Sequence, residues 1–184
     1  MHVEKIEGRK PRAKRAGRPL GTQRGASLLE GIAYLGIAAI VVMGAISLLT
    51  GAFSSAKSNQ ANEEVIGLRT AVRKLYMGQT YPTANVVSTL ITAKAAPGTL
   101  AVDGTTLKNS WGGTVAIVGS GTGFTITYPS VPKDVCVSML SGTNGWSSVN
   151  ANGGATPVEN FPLTATNATG LCTANDNSIV YTSS

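Results

Sequence analysis

The chain has 184 residues, the length of a single domain, and its formal net charge at pH 7 is +6. Residues 1–25 hold eight basic and two acidic side chains, whereas residues 26–184 hold seven of each. The positive charge therefore belongs to the first 25 residues and does not indicate a nucleic-acid-binding surface on the rest. The only histidine is His2, which excludes histidine-dependent catalysis and histidine metal sites from residues 26–184.

Residues 1–25 are polar and basic and lack hydrophobic periodicity, so we expect them to form a disordered leader. A nucleic-acid-binding arm is the alternative for the basic run Lys10–Arg18. The apolar segment that follows favours a membrane-topology signal instead. We expect no nucleic-acid partner.

Residues 31–56 contain no charged side chain and no proline. As a helix they would be about 39 Å long, more than the roughly 30 Å hydrocarbon core of a bilayer. Because the basic residues lie mostly before this segment, the N-terminus is predicted to be cytoplasmic. A secretory signal peptide is the alternative, but its apolar part is usually only about 7–15 residues long.

An amphipathic pattern continues the helix beyond residue 56. Apolar residues recur at helical spacing at Ala61, Val65, Leu68, Val72 and Leu75. We expect Glu63 and Glu64 to lie on the opposite, solvated face or at a lateral subunit contact. They are adjacent on a helix and so cannot face each other as a catalytic pair. With Gly78 as the stop signal, one helix is predicted from about 26 to about 77.

Short elements are predicted from residue 79 onward. Asn85 is a candidate N-cap for a short helix over residues 86–94. The β-rich runs Thr114–Val118 and Phe124–Tyr128 flank a glycine-rich segment and predict a hairpin. That segment, Gly119–Gly123, lacks the lysine of a phosphate-binding loop.

The last third of the chain is rich in glycine, asparagine, serine and threonine. Residues 132–140 predict a short helix, with a strand as the alternative, and residues 178–182 predict a final strand. Residues 141–170 are expected to form a loop. Trp111, which two glycines follow, is expected to be a core tryptophan beside a bend.

The segment Gln23–Glu30, with the sequence QRGASLLE, joins the basic leader to the apolar helix. The leader ends in Gly25, a long apolar helix begins at once, and Glu30 is the only charge between Arg24 and Lys57. This arrangement resembles the class III signal of type IV prepilins. The 25-residue leader resembles those of the type IVb pilins.

The resemblance implies an α+β fold, the type IV pilin fold. The hydrophobic half of a long N-terminal helix would protrude, and the helix would pack on a small antiparallel β-sheet in a C-terminal globular head. Residues 1–25 would be the cleaved leader, and 26–56 the transmembrane and filament-core half of the helix. Residues 57–184 would be the amphipathic half of the helix and the periplasmic or extracellular head.

The resemblance also implies specific sites. Prepilin peptidase would cleave between Gly25 and Ala26, and Ala26 would be N-methylated, although many family members carry a larger apolar residue there. Glu30 would assist subunit assembly by pairing with the α-amine of a neighbouring subunit. The alternative is that Glu30 reaches the lipid headgroups. No catalytic, cofactor or metal site is expected.

Cys136 and Cys172 are the only cysteines and lie on the side of the membrane predicted to be oxidising. A disulfide is therefore expected, with a stabilisation of roughly 4 kcal/mol from loop closure. Two free thiols are the alternative. By resemblance, the pair bounds a surface-variable region.

The expected function is that of a major pilin, a structural and non-enzymatic subunit of a type IVb pilus for adhesion, aggregation or conjugative mating contact. The resemblance is to thin-pilus major pilins of conjugative plasmids and enteric bacteria. The subunit would wait in the inner membrane with its N-terminus cytoplasmic. An assembly ATPase, a platform protein and an outer-membrane secretin would then build the extracellular filament. The alternatives are a minor pilin, a type II secretion pseudopilin, or a monomeric membrane-anchored enzyme or binding protein.

Overall fold

The computed structural model describes residues 28–154 and 156–184. The predicted cleavage site, Gly25 and Ala26, lies outside these residues. By its contacts the chain divides into two compact units, residues 1–44 and residues 45–184. The first helix, α1 (Leu28–Leu75), has residues in both units.

Helix α1 has 48 residues and ends two residues before the predicted position. Its length and apolar composition are sufficient to cross a membrane. The described part of the first unit, residues 28–44, is helical and has mostly exposed side chains. A long helix was the main prediction from the sequence, and it is confirmed.

The second unit contains a six-stranded antiparallel sheet and three short helices. The strands are β1 (Ala101–Asp103), β2 (Thr106–Lys108), β3 (Thr114–Gly119), β4 (Phe124–Pro132), β5 (Ser148–Ala151) and β6 (Asp176–Ser183). The helices are α2 (Val87–Thr92), α3 (Lys133–Ser141) and α4 (Ala165–Leu171). The strand order is β1-β2-β3-β4-β6-β5, so the last strand lies between β4 and β5.

The predicted hairpin is confirmed as β3 and β4, which pair from Ala116 with Thr127 to Gly119 with Phe124. Strand β4 continues beyond the predicted end to Pro132, with an irregularity after Tyr128. The helical prediction for residues 132–140 is confirmed by α3. The predicted final strand is also present, in the longer form of β6.

Two predictions need correction. Residues 141–170 are not one loop, because they contain β5 and α4. Their polar composition hides these elements, since β5 gains its order by pairing with β6 and α4 by packing against α3. The helix predicted over 86–94 is shorter, ending at Thr92. Asn85 lies before its N-cap residue, Val86, and accepts a hydrogen bond from the Val87 N–H at 3.1 Å.

The core of the second unit forms where α1 packs on the sheet. The apolar stripe predicted on α1 is confirmed, because Ala61, Val65, Leu68 and Val72 are buried and Leu75 is half-buried against the same core. They share one core cluster with apolar residues of the strands, including Ile117, Ile126, Ile179 and Phe124. At roughly 25 cal/mol per Å² of apolar surface, this burial is the main force that holds the helix to the sheet.

Cys136 of α3 and Cys172, which follows α4, form a disulfide with a Cα–Cα distance of 6.0 Å. Both residues are fully buried. The bond therefore ties the two helices together and closes the segment that contains β5.

Candidate functional site

The first turn of α1 carries an acidic side chain, Glu30, among exposed apolar residues. The Tyr34 hydroxyl donates a hydrogen bond to Glu30 Oε1 at 3.4 Å, one helical turn away. A carboxylate in the first turn also interacts favourably with the positive end of the helix dipole. The second carboxylate oxygen has room for a donor from another molecule, because Glu30 is exposed.

The apolar part of α1 is exposed along its length. Fourteen large apolar residues between 28 and 53 are more than half exposed: Leu28, Leu29, Ile32, Tyr34, Leu35, Ile37, Ile40, Val41, Val42, Met43, Ile46, Leu48, Leu49 and Phe53. Soluble monomers rarely expose so large an apolar surface, so this surface marks a contact with lipid or with other subunits. An acidic side chain at the end of such a surface can specify how two helices align, because an unpaired charge is costly in an apolar environment.

Glu64 is buried, with 1% of its surface exposed, so its prediction as part of a solvated face is wrong. Its Oε2 atom accepts a hydrogen bond from the Tyr128 hydroxyl at 2.5 Å, and its Oε1 atom accepts one from Gln60 Nε2 at 2.9 Å. Burial, and then the bond to Glu64, raise the pKa of Tyr128 far above its ordinary value. Tyr128 therefore stays a donor over the whole physiological range.

The pairing of Gln60 with Glu64 at i and i+4 is visible in the sequence, whereas the partner from β4 is not. Tyr128 lies 64 residues further along the chain. By helical spacing Glu64, which follows Ala61 by three residues and precedes Leu68 by four, lies beside the apolar stripe, whereas Glu63, which is exposed as predicted, lies on the opposite face. The burial of Glu64 depends on where the sheet places one aromatic hydroxyl.

Arg69 occupies one flank of α1, where its guanidinium lies 4.7 Å from the centre of the Trp146 ring. Trp146 in turn lies 4.9 Å from Tyr181, measured between ring centres. Burial, followed by the nearby charge of Arg73, lowers the pKa of Arg69 from its ordinary value. This stacked group attaches α1 to β6 and to the chain just before β5.

Trp111 lies in a tight loop between β2 and β3 and is half-buried, so it packs at the edge of the core and not inside it as expected from the sequence. The Trp111 and Tyr128 rings pack edge to face, with 6.5 Å between the ring centres. Asn109 organises the loop, because its Oδ1 atom accepts hydrogen bonds from the Trp111 and Gly113 N–H groups at 3.1 and 2.8 Å. A side chain at position 113 would collide with the Pro129 carbonyl, which explains the glycine.

A surface groove of about 210 Å³ lies beside Trp111. It is lined by Thr50, Phe53, Ser54, Lys57, Trp111, Pro132, Asp134 and Val135. The Ser54 hydroxyl donates a hydrogen bond to the Asp134 carboxylate across the groove. The sequence analysis did not identify this groove, because its walls come from three distant parts of the chain.

Metal-binding chemistry has no candidate in residues 28–154 and 156–184. These residues contain no group of three or more histidine, cysteine, aspartate or glutamate side chains placed to hold an ion. The described residues instead offer an exposed apolar helix surface that can contact other molecules.

Comparisons with known proteins agree with these features. A crystal structure of a type IVb pilin from Salmonella typhi is 31% identical to this chain, with a TM-score of 0.53, and the match covers 66% of this chain and 94% of that one. The structure of TcpA, a type IV pilin from the El Tor biotype of Vibrio cholerae, has a TM-score of 0.51 at 15% identity. This match covers 70% of this chain and 99% of the TcpA chain, and at this identity it is evidence for the fold only.

A search of curated proteins by sequence found no match. The model of the family described as PilS N terminal matches residues 55–184, which is more than half of the chain. This match includes the amphipathic part of α1, the complete sheet and the disulfide. The chain therefore belongs to the PilS N-terminal family of type IVb pilins, which have the type IV pilin fold.

Proposed function

We propose that the chain is the major subunit of a type IVb pilus that serves adhesion, bacterial aggregation or mating contact. The observation that carries the proposal is the continuous exposed apolar surface of α1 with Glu30 in its first turn. Membership of the pilin family supports assembly into a filament. In that filament, apolar helix surfaces would exchange lipid contacts for contacts with other subunits.

The precursor would be processed at the junction of leader and helix. Prepilin peptidase would cut after Gly25, and Ala26 would become the N-methylated first residue. Residues 1–25 would act as the leader, and their net charge of +6 would hold the N-terminus of the precursor in the cytoplasm. N-terminal mass spectrometry of the exported protein tests this step, and a first residue other than Ala26 would contradict it.

Residues 26–56 would span the inner membrane before assembly and form the filament core afterwards. Residues 57–184 would carry the head, which would face the periplasm and later the filament surface. An assembly ATPase and its platform protein would extract the subunit, and an outer-membrane secretin would pass the filament. The uncharged composition of residues 31–56 supports this placement.

Glu30 would pair with the α-amine of Ala26 in a neighbouring subunit. Charge neutralisation makes this contact favourable in an apolar bundle, where an isolated carboxylate costs roughly 3 kcal/mol at the helix centre. The pair would therefore select the axial position of each incoming helix.

The decisive experiment compares Glu30→Ala and Glu30→Gln with the control Glu159→Ala, which removes an exposed acid outside α1. We expect both Glu30 variants to be processed and inserted normally but to yield few or no filaments, while the control assembles. Normal filaments from Glu30→Ala would overturn the assembly role. Purified filaments from the unaltered strain separate a major from a minor pilin, because a major pilin is their bulk component.

A further inference from the structure

The groove beside Trp111 begins where the apolar surface of α1 ends. Thr50, Phe53 and Lys57 lie on one side of the helix, because they are spaced by three and four residues. Phe53 is 58% exposed, and the preceding residues Leu48 and Leu49 are also exposed and apolar. Within the second unit, the groove is therefore continuous with the candidate membrane-spanning surface.

The position of Lys57 places this groove at the level of lipid headgroups. It is the first charge after the uncharged residues 31–56, whose helical length of about 39 Å exceeds the hydrocarbon core. Lys57 lies about 6 Å along the helix axis from Phe53. The long side chain of a lysine near the end of a membrane helix extends to the headgroups.

The chemistry of the groove matches an anionic amphiphile. Trp111 supplies a half-buried indole ring, and tryptophan is one of the residues enriched at membrane interfaces. Lys57 and Lys133 are both exposed, and Lys133 lies between two residues that line the groove. The charged residues that line the groove are Lys57 and Asp134, whose carboxylate accepts the bond from Ser54. Together with Lys133, which adjoins the lining in the chain, they sum to one positive charge.

We propose that this groove docks anionic phospholipid headgroups of the outer leaflet of the inner membrane while the subunit awaits assembly. The lysines contact the phosphate groups, and the indole and Phe53 rest at the acyl boundary. The inference rests on the proposed membrane stage of the subunit. Docking would hold the head against the bilayer, and lipid would cover the groove until the subunit is extracted.

The two tryptophans of the chain provide a matched pair of probes. Trp111 lines the groove, whereas Trp146 is 7% exposed and stacks on Arg69. Arg69 follows Lys57 by 12 residues, or about 18 Å along the helix. The full-length chain with Trp146→Phe reports on Trp111 alone, and the chain with Trp111→Phe reports on Trp146 alone. Vesicles of brominated phosphatidylglycerol or brominated phosphatidylcholine act as short-range quenchers.

We expect strong quenching of Trp111 and little quenching of Trp146, with more quenching of Trp111 in phosphatidylglycerol than in phosphatidylcholine. Each basic residue near an anionic surface changes the equilibrium constant for docking about fivefold. Lys57→Gln and Lys133→Gln together should therefore remove the preference for phosphatidylglycerol. The variant Lys94→Gln is the control, because Lys94 is an exposed lysine outside this groove.

Flotation with the vesicles measures insertion independently. An inserted chain whose Trp111 is unquenched would overturn the docking proposal and leave the proposed pilin function intact. Equal quenching in both lipids, or quenching that the two lysine changes leave unaltered, would overturn the headgroup chemistry. If Trp111 were shielded only in filaments, the groove would be a subunit contact and not a lipid site. A chain that fails to float would contradict the membrane stage and, with it, this proposal.

Discussion

The Tyr128 hydroxyl donates a 2.5 Å hydrogen bond to Glu64 Oε2, and both side chains are almost completely buried. One residue lies on α1 and the other on β4, so this bond fixes one helical position against one strand position. No basic side chain in the described part of the chain forms an ion pair with Glu64, and Gln60 supplies its other donor. The carboxylate therefore depends on neutral donors, which makes each of them important.

Tyr128→Phe removes the shorter of these two bonds. We expect it to lower the free energy of unfolding by about 1.5–3 kcal/mol, because the carboxylate loses a charge-assisted bond in a buried site. The measurement is denaturant unfolding of the detergent-solubilised full chain. Tyr76→Phe, at the half-buried tyrosine that directly follows α1, is the control and should have a small effect.

A double-mutant cycle then isolates the contact between the two residues. In the Glu64→Gln background, Tyr128→Phe should cost less than in the unaltered chain, because the buried acceptor is no longer a carboxylate. Equal costs in the two backgrounds would show that the bond contributes no specific stability.

Loss of the disulfide should open the segment between Cys136 and Cys172. The chain-entropy relation gives roughly 4 kcal/mol for a loop of this length. Glu159 is the only charged residue between the two cysteines, so a glutamate-specific protease has one site there and trypsin has none. We expect reduction to accelerate cleavage after Glu159 many-fold. The double variant Cys136→Ala and Cys172→Ala, which lacks the disulfide, is the control and should be cleaved equally fast without a reductant. An unchanged cleavage rate would show that packing alone holds the segment.

The buried tyrosines predict a loss of stability at alkaline pH. Burial raises the pKa of both Tyr128 and Tyr181 in the folded chain, whereas in the unfolded chain tyrosine has a pKa of about 10. The unfolded state therefore releases these protons first. Their contribution is complete below about pH 10 and falls above it by about 1.4 kcal/mol per pH unit for each tyrosine.

Ultraviolet absorbance of tyrosinate checks this prediction. Of the five tyrosines, Tyr128 and Tyr181 should ionise only as the chain unfolds, and Tyr181→Phe should reduce the amplitude of that late step. If Tyr128 and Tyr181 ionised near pH 10 while the fold persisted, the burial of these two hydroxyls would be contradicted.

Asn109→Ala tests the loop that presents Trp111. The substitution removes two acceptor contacts to backbone N–H groups and the 2.6 Å bond from Asn109 Nδ2 to the Pro129 carbonyl. We expect a loss of about 2 kcal/mol and a red shift of Trp111 emission in the Trp146→Phe background. Asn144→Ala, at an exposed position in another loop, should leave both quantities unchanged.

The sequence predicted the elements whose patterns are local. The long helix, its buried stripe, the β3–β4 hairpin and α3 all follow from periodicity or turn chemistry within a few residues. The signal of the hairpin formed by β1 and β2 is weaker, because each strand has only three residues. Because Asp103 pairs with Thr106, its two-residue loop is Gly104–Thr105, and a glycine with positive φ at the first loop position is a recognisable hairpin signal.

The positions that the sequence did not predict depend on distant partners. Strand β5 lies in a polar segment and has no pattern of its own, so it exists because β6 pairs with it. Helical spacing places Glu64 beside the apolar stripe, but its partner from the sheet, Tyr128, lies 64 residues further along the chain. The groove beside Trp111 likewise combines α1, the loop before β3 and the start of α3. The role of Glu30, by contrast, was inferred from its place in a motif and remains a proposal.

The strand order has a consequence for synthesis. Because β6 separates β4 from β5, the sheet stays incomplete until the ribosome has made the final strand. A chain truncated before Asp176 would leave one edge of β4 unpaired and β5 without its neighbour, and such an open edge invites aggregation. Only chains that carry β6 can therefore complete the sheet.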